Sequence, residues 1–114
     1  MRYALLIHAE ETRYAEMSPQ ETAQLRADHA VFTGELERAG AYVASQRLRP
    51  TTAATTIRVR NGETLMMDGP FAETKEQLGG FYLIQANDLD EALAWAAKMP
   101  SAKYGSIEVR PIWE

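Results

Sequence analysis

The feature that most constrains the fold is a pair of helix-start motifs, each placed between two strand-like apolar segments. Ser18-Pro19-Gln20-Glu21 combines an N-cap serine, a proline at the first helical position and a glutamate three residues after the cap. Asp88-Leu89-Asp90-Glu91 repeats the capping-box spacing. Because a helix between two strands forms a βαβ unit, the pair predicts a single split βαβ sheet with helices on one face.

The strands of this sheet are predicted where apolar residues cluster between turn signals, at residues 3–8, 41–48, 81–86 and 106–113. Both faces of the first strand are largely apolar, which is typical of a central strand. We expect this strand to end at the acidic loop Glu10-Glu11, and we expect Gly79-Gly80 to break the chain before residue 81. The predicted fold class is therefore α+β.

A histidine interrupts the apolar face of the first helix. Leu25, His29, Phe32 and Leu36 recur at spacings that align them along one side of the helix, and Gly40 supplies a C-terminal stop. The period of the helix places an apolar side chain at position 29. We therefore expect the imidazole to point toward the sheet or into a pocket beside it.

The dipeptide Asn61-Gly62 predicts a β-hairpin between Thr55–Arg60 and Glu63–Asp68, because a type I′ turn needs positive φ at both central residues. The two-residue turn fixes the register of the strands. The predicted cross-strand pairs are Val59 with Thr64, Ile57 with Met66 and Thr55 with Asp68. A carboxylate is thus expected at the end of an otherwise apolar row, followed by a turn at Asp68-Gly69-Pro70-Phe71.

Composition favours one soluble domain spanning residues 1–114. The apolar fraction is 46% and the charged fraction 25%, and no apolar run reaches the roughly 18 residues of a membrane span. The chain has no cysteine, which suits a cytoplasmic protein without disulfides. Its net charge is −4 with scattered basic residues, so nucleic-acid binding is disfavoured. No Gly-rich phosphate loop opens a helix, so no nucleotide cofactor is indicated.

His29 and Asp68 are the candidate catalytic residues. His29 is either a core histidine hydrogen-bonded to the backbone or a general base, since an imidazole titrates near neutral pH. Asp68 either caps its turn through backbone amides or orients and charges a histidine. Which of these readings holds depends on whether the two side chains meet.

Three further residues are candidate ligand contacts: His8, Phe71 and Tyr82. His8 lies at a strand end where ligands approach open sheets, although a capping, partly solvated histidine is the alternative. The aromatic residues can line a pocket for a planar ligand, or can fill the core and a dimer interface. The spacing of the two histidines and Asp68 matches no local ligand motif, so no metal site is predicted.

The segment from Asp68 to Phe81, which reads DGPFAETKEQLGGF, resembles the DGPF-domain proteins, a branch of the YCII-related family. The resemblance extends to residues 3–7, 53–60, 90–97 and 106–111, and so covers nearly the whole chain. It implies a ferredoxin-like fold whose open sheet packs against a second subunit, as in dimeric α/β barrels. A half-covered sheet with exposed edges gives an independent reason to expect a homodimer.

The resemblance also has implications for the site. Some YCII-like relatives carry a histidine in the first helix and an aspartate after the second, proposed as an acid/base pair, and one member is a dehydrochlorinase of a hydroxyquinol. His29 matches the histidine position, but the end of the second helix, Trp95 to Pro100, has no carboxylate. DGPF-type proteins are also often encoded beside sigma factors of the extracytoplasmic-function type.

Three functions are compatible with the sequence. The first is a homodimer whose pocket, between sheet and helices, uses His29 assisted by Asp68 to move a proton on a small organic substrate. The second is a non-catalytic accessory that binds a metabolite or a protein and is linked to a sigma factor of the extracytoplasmic-function type. The third is a structural dimerisation module without a pocket.

Overall fold

Six strands and three α-helices make up the chain, which a computed structural model describes over all 114 residues. In chain order these are β1 (Arg2–Ala9), α1 (Glu11–Ala15), α2 (Pro19–Arg38), β2 (Tyr42–Arg47), β3 (Thr55–Arg60), β4 (Glu63–Asp68), β5 (Gln77–Gln85), α3 (Leu89–Lys98) and β6 (Ser106–Pro111). Two 3₁₀ turns connect them, at Thr51–Ala53 and Pro100–Lys103.

The central sheet has four strands in the order β2-β5-β1-β6, and every neighbouring pair is antiparallel. The unit β1–α2–β2 is split by β5, and the unit β5–α3–β6 is split by β1. This arrangement is the split βαβ sheet of a ferredoxin-like α+β fold, the type seen in dimeric α/β barrels, and the predicted fold class is confirmed. Strands β3 and β4 form a separate two-stranded sheet inserted between the halves.

The helix that carries His29 begins as predicted. Ser18 Oγ accepts a hydrogen bond from the Glu21 amide at 3.1 Å, and the Ser18 amide donates to Glu21 Oε1 at 3.0 Å, which completes the capping box. At the other end, the Ala41 amide donates to the Leu36 carbonyl at 2.8 Å across Gly40, whose φ is 71°. Both ends of α2 are therefore fixed by local bonds.

The cap of α3 is only partly the predicted one. The Asp88 carboxylate accepts from the Glu91 amide at 2.9 Å, as expected for an N-cap. The Glu91 carboxylate accepts from the Asn87 side chain at 3.0 Å instead of reaching back to the cap amide. One half of the second capping box is therefore formed.

The core lies between one face of the sheet and the helices. Its buried members come from β1, β5, α2, α3 and their flanks: Tyr3, Leu5, Phe32, Leu36, Ala41, Tyr82, Ile84, Ala86, Ala92, Ala96 and Met99. The residues of the other sheet face are partly exposed and do not belong to the core. This face carries Ala4 and Leu6 opposite Leu83 and Phe81, and we call these four residues the open sheet face.

The hairpin has the predicted strands, turn and register, with φ of 51° at Asn61 and 77° at Gly62. It extends from the body as an arm. The radius of gyration is accordingly 16.0 Å, whereas a compact chain of this length has about 13 Å. Its apolar row, Ile57, Val59 and Met66, is between 59% and 70% exposed.

Three local predictions are wrong. The acidic segment after β1 is not a loop, because α1 begins at Glu11, whose amide donates to Gln77 Oε1 at 3.0 Å. Gly79-Gly80 does not break the chain, because β5 runs through both from Gln77. A Cβ at Gly80 would lie 2.9 Å from the Gln46 carbonyl oxygen, so this glycine permits the close approach of β2. Strand β6 also ends at Pro111, two residues before its predicted end.

Candidate functional site

A cleft of about 600 Å³ opens on the helix side of the sheet, beside the buried core. Its walls come from α1, the first half of α2, the end of β2 with the loop that follows, and the start of β5. His29 and Tyr82 line it, and so does Ser101 from the 3₁₀ turn after α3. Gly79 and Gly80, at the start of β5, also line the cleft.

His29 is held in the cleft wall by Ser101. His29 Nε2 lies 2.7 Å from Ser101 Oγ, and Ser101 is only 4% exposed. The serine follows Pro100, which starts the 3₁₀ turn after α3. The end of the second helix therefore does supply a partner to the histidine, but the partner is a neutral hydroxyl.

The second ring nitrogen of His29 faces Tyr82. His29 Nδ1 lies 3.4 Å from the Tyr82 hydroxyl, which is itself 2.9 Å from Thr33 Oγ1. The two rings are nearly parallel, with centroids 6.2 Å apart and an interplanar angle of 15°. Thr33 is one helical turn beyond His29 on α2, so a single helix face holds both groups. The imidazole is thus oriented from both of its nitrogens.

Burial sets the protonation states of this cluster. Desolvation lowers the pKa of His29, and the nearby Asp28 carboxylate opposes the shift only in part. Desolvation also raises the pKa of the Tyr82 phenol, against the hydrogen bond with Thr33. Near neutral pH the imidazole is therefore an uncharged proton acceptor and the phenol is a hydrogen-bond donor.

The lowered pKa of His29 predicts a pH dependence of stability. Below about pH 6.5 the unfolded chain binds a proton at this residue more readily than the folded chain does, so stability falls as pH decreases from there through the lower folded-state pKa. Urea unfolding between about pH 5 and 8 measures the slope. The His29→Gln variant should lose this component of the slope, and an unchanged slope would contradict the assignment.

The structure brings together only two of the predicted site residues. His29 and Tyr82 both line the cleft, whereas Asp68, His8 and Phe71 do not. The hydrogen-bond partners of His29 are Ser101 and Tyr82, so the contact with Asp68 that an acid/base pair would require is not made within one chain. Asp68 is an exposed residue at the base of the hairpin arm.

The other two candidates also lie elsewhere. His8 Nε2 is 3.2 Å from Glu108 Oε1, and because His8 alternates with the core-facing residues of β1 it projects to the side of the open sheet face. Phe71 is 74% exposed beyond the hairpin. Neither side chain lines the cleft that contains His29.

Sequence reasoning missed Ser101 and Thr33. Ser101 is 72 residues from His29, so its role depends on the way α3 returns beside α2. Its position directly after Pro100, at the end of α3, is a usable signal, but the family resemblance indicates a carboxylate at this place and not a hydroxyl. Thr33 had a clearer signal, because it is four residues after His29 and therefore on the same helix face.

Two further features can be assessed from the structure, a metal-binding cluster and a membrane-spanning helix. No group of three histidine, aspartate or glutamate side chains is arranged so that it could hold a metal ion. No helix has both the length and the apolar character needed to cross a membrane.

Comparison with known proteins gives the family. The YCII-related domain model matches residues 1–114, from end to end of the chain. The chain belongs to the YCII-related family. The predicted resemblance is therefore confirmed. An uncharacterised protein of Rhizobium meliloti (strain 1021) is 46% identical over 114 residues, covering 98% of this chain and 92% of the relative.

A solved structure shares the fold of this YCII-related chain. It is the 5-chloro-2-hydroxyhydroquinone dehydrochlorinase TftG of Burkholderia phenoliruptrix AC1100, in complex with 2,5-dihydroxybenzoquinone. The TM-score is 0.57 and the sequence identity 14%, with 100% of this chain and 94% of that chain covered. At this identity the likeness establishes the ferredoxin-like architecture.

Proposed function

We propose that this protein binds a small organic compound in the cleft and that His29 acts there as a general base. The observation that carries the proposal is the placement of the His29 imidazole in the wall of a cleft of about 600 Å³, oriented by Ser101 and Tyr82. A base with a pKa slightly below the working pH is deprotonated and still a useful proton acceptor. Proton abstraction requires the substrate to replace one of the two hydroxyl partners, and we assign this role to Nδ1, whose 3.4 Å contact with Tyr82 is longer than the 2.7 Å contact of Nε2 with Ser101.

The neutral partner of His29 supports this role. A carboxylate in place of the Ser101 hydroxyl would stabilise the imidazolium ion and raise the pKa of His29. With a hydroxyl as the partner, burial governs the proton affinity of the ring. The role as a base requires the tautomer in which Nε2 carries the proton and donates to Ser101 while Nδ1 is the acceptor, and the distances are consistent with this tautomer. When the ring takes up a proton, both of its nitrogens become hydrogen-bond donors. A hydroxyl that had donated to the ring must then turn and accept instead.

Hydroxylated benzoquinones and hydroquinones are the first compounds to test, because a protein of this fold was solved with 2,5-dihydroxybenzoquinone. Wild-type protein should change the ultraviolet spectrum of at least one chlorinated hydroxyhydroquinone, through loss of a proton and then of chloride. The initial rate should require His29. Rates equal to buffer across the set, or equal in wild type and His29→Gln, would remove the enzymatic proposal.

The alternative function is a binding protein without catalysis, linked to a sigma factor. It predicts that ligands occupy the cleft but are recovered unchanged. It also predicts that the His29→Gln variant retains them with similar affinity. Chromatography of the ligand after incubation separates this outcome from turnover.

We infer that two copies of the chain form a dimer through the open sheet face. The accessible surface of one chain is 8029 Å², whereas a compact monomer of 12.8 kDa has about 6,300 Å². The excess exceeds the roughly 800 Å² that each partner buries in a standard interface. The exposed arm with Ile57, Val59 and Met66 adds a second apolar surface for the same partner.

The dimer is tested by placing a charge on the open sheet face. Wild-type protein should have twice the 12.8 kDa mass of one chain in light scattering. Leu83→Glu should shift the protein to the monomer, because an unpaired carboxylate buried at the interface costs several kcal/mol. The matched control is Val31→Glu on the outer side of α2, which should remain dimeric. A monomeric wild type would contradict the inference.

A further inference from the structure

The cleft is positively charged although the chain as a whole is negative. Three arginines line it, Arg26, Arg47 and Arg49, against the single carboxylate of Glu11. The net charge of the chain is −4. A cluster of cations in this cleft, opposite in sign to the net charge of the chain, is an electrostatic feature that favours an anionic ligand.

None of the three arginines is neutralised within the chain. The ion pairs are formed by other basic residues, namely Arg2, His8, Lys75, Lys98 and Arg110. The carboxylate of Glu11 does not face a cation either, because its two oxygens accept from the amide and hydroxyl of Thr51 at 2.7 and 2.8 Å. The guanidinium groups therefore keep all their donors available.

The arginines come from three different elements that line the same cleft as the imidazole. Arg26 precedes His29 by almost one turn of α2, so it lies on the same face of the helix. Arg47 is paired across the sheet with Gly80 at the end of β2, and it lines the cleft. Arg49 follows on the loop after β2. The polar side of the cleft thus offers three planar guanidinium groups as hydrogen-bond donors, in the same cleft as the proposed base.

Part of the remaining wall is apolar and suits a flat carbon skeleton. Ile7, Leu25 and the ring of Tyr82 lie on the cleft surface beside His29. All cations of the cleft are arginines, and a guanidinium donates two parallel hydrogen bonds to a carboxylate, which the ammonium of a lysine cannot do. The combination of an apolar wall and unpaired guanidinium groups discriminates by both shape and charge.

We propose that the cleft selects planar aromatic anions, whose carboxylate or phenolate oxygens are bound by Arg26, Arg47 and Arg49 while the ring lies against the apolar wall beside His29. This specificity rests on the proposed function, since the same cleft would hold the substrate. Recognition by the arginines nevertheless does not require proton transfer, so the two claims can be tested separately.

The test compares benzoate with benzamide, which has nearly the same shape and no charge, by NMR titration of the full-length protein. Benzoate should give saturable shifts at the residues of the cleft, and benzamide should bind at least about tenfold more weakly. Arg47→Gln and Arg26→Gln should each weaken benzoate about tenfold and leave benzamide unchanged. Arg58→Gln, on the hairpin arm, is the matched control and should change neither.

Each other outcome has a defined meaning. Equal affinity for benzoate and benzamide, benzoate binding that is indifferent to both cleft variants, or no saturable benzoate shift would overturn the anion specificity. Arginine-dependent benzoate binding should also weaken with added salt, because the guanidinium groups are solvent-accessible. If that binding is found while His29→Gln leaves turnover intact, the anion site stands and the base assignment falls.

Discussion

Replacement of His29 by glutamine should lower kcat/KM for the proposed reaction by about 10²–10⁴-fold, the usual contribution of a positioned general base. Glutamine keeps a polar group that can hydrogen-bond Ser101, so the cleft should retain its shape, but the amide cannot accept the proton. The loss should therefore fall on kcat with little change in KM. Initial rates at saturating and limiting substrate measure the two terms.

His8→Gln is the matched control, because it changes the other histidine of the chain and lies on the opposite side of the sheet. We expect its rate to equal that of wild type, since its partner Glu108 can hydrogen-bond to glutamine as well. A comparable loss of rate in both variants would indicate that the chemistry takes place somewhere other than the cleft.

Gly105→Ala should destabilise the fold by about 3 kcal/mol or more, because a Cβ there cannot be accommodated without backbone movement. The added carbon would overlap the His8 carbonyl oxygen and lie 2.8 Å from Ala9 Cβ, both on β1. The Gly105 amide also donates to the Ser101 carbonyl at 3.0 Å. Displacement of Gly105 should therefore loosen the turn that holds the partner of His29, and chemical denaturation should show a much lower midpoint.

The control for this prediction is Gly34→Ala, in the interior of α2, where the effect should have the opposite sign. The new Cβ would meet only the flexible end of the Arg38 side chain, at 3.3 Å. Alanine is favoured over glycine in a helix by roughly 0.5–1 kcal/mol, so this variant should be slightly more stable than wild type. Destabilisation of similar size in both variants would mean that the packing around Gly105 is not as tight as described.

Local signals were sufficient for the elements whose geometry is set within a few residues. The two-residue turn Asn61-Gly62 determines the hairpin register, because each strand residue is then paired by counting from the turn. The capping box at Ser18 likewise placed the start of α2 correctly. Helix α1 could not be found this way, because its five residues are anchored by contacts of Glu11 with Gln77 and Thr51, 66 and 40 residues away.

The site was predicted in part for the same physical reason. Helical periodicity depends only on nearby residues, so it correctly predicts that His29 faces the sheet. The partner of His29 is a matter of tertiary packing, and sequence offered Asp68 by residue type while the fold supplies Ser101 from the end of α3. Ser101 becomes a candidate partner of His29 when any polar residue directly after α3 is considered, whether or not it is charged.

The most direct test of the proposed base is an NMR titration of the His29 ring, made in His8→Gln so that one imidazole gives the signal. We predict a pKa below the value of about 6.5 that an unperturbed histidine has, and nitrogen shifts that change in Ser101→Ala because Nε2 loses its partner. A pKa at or above 6.5, with shifts that do not respond to Ser101→Ala, would show that the ring is neither desolvated nor held in the cleft wall.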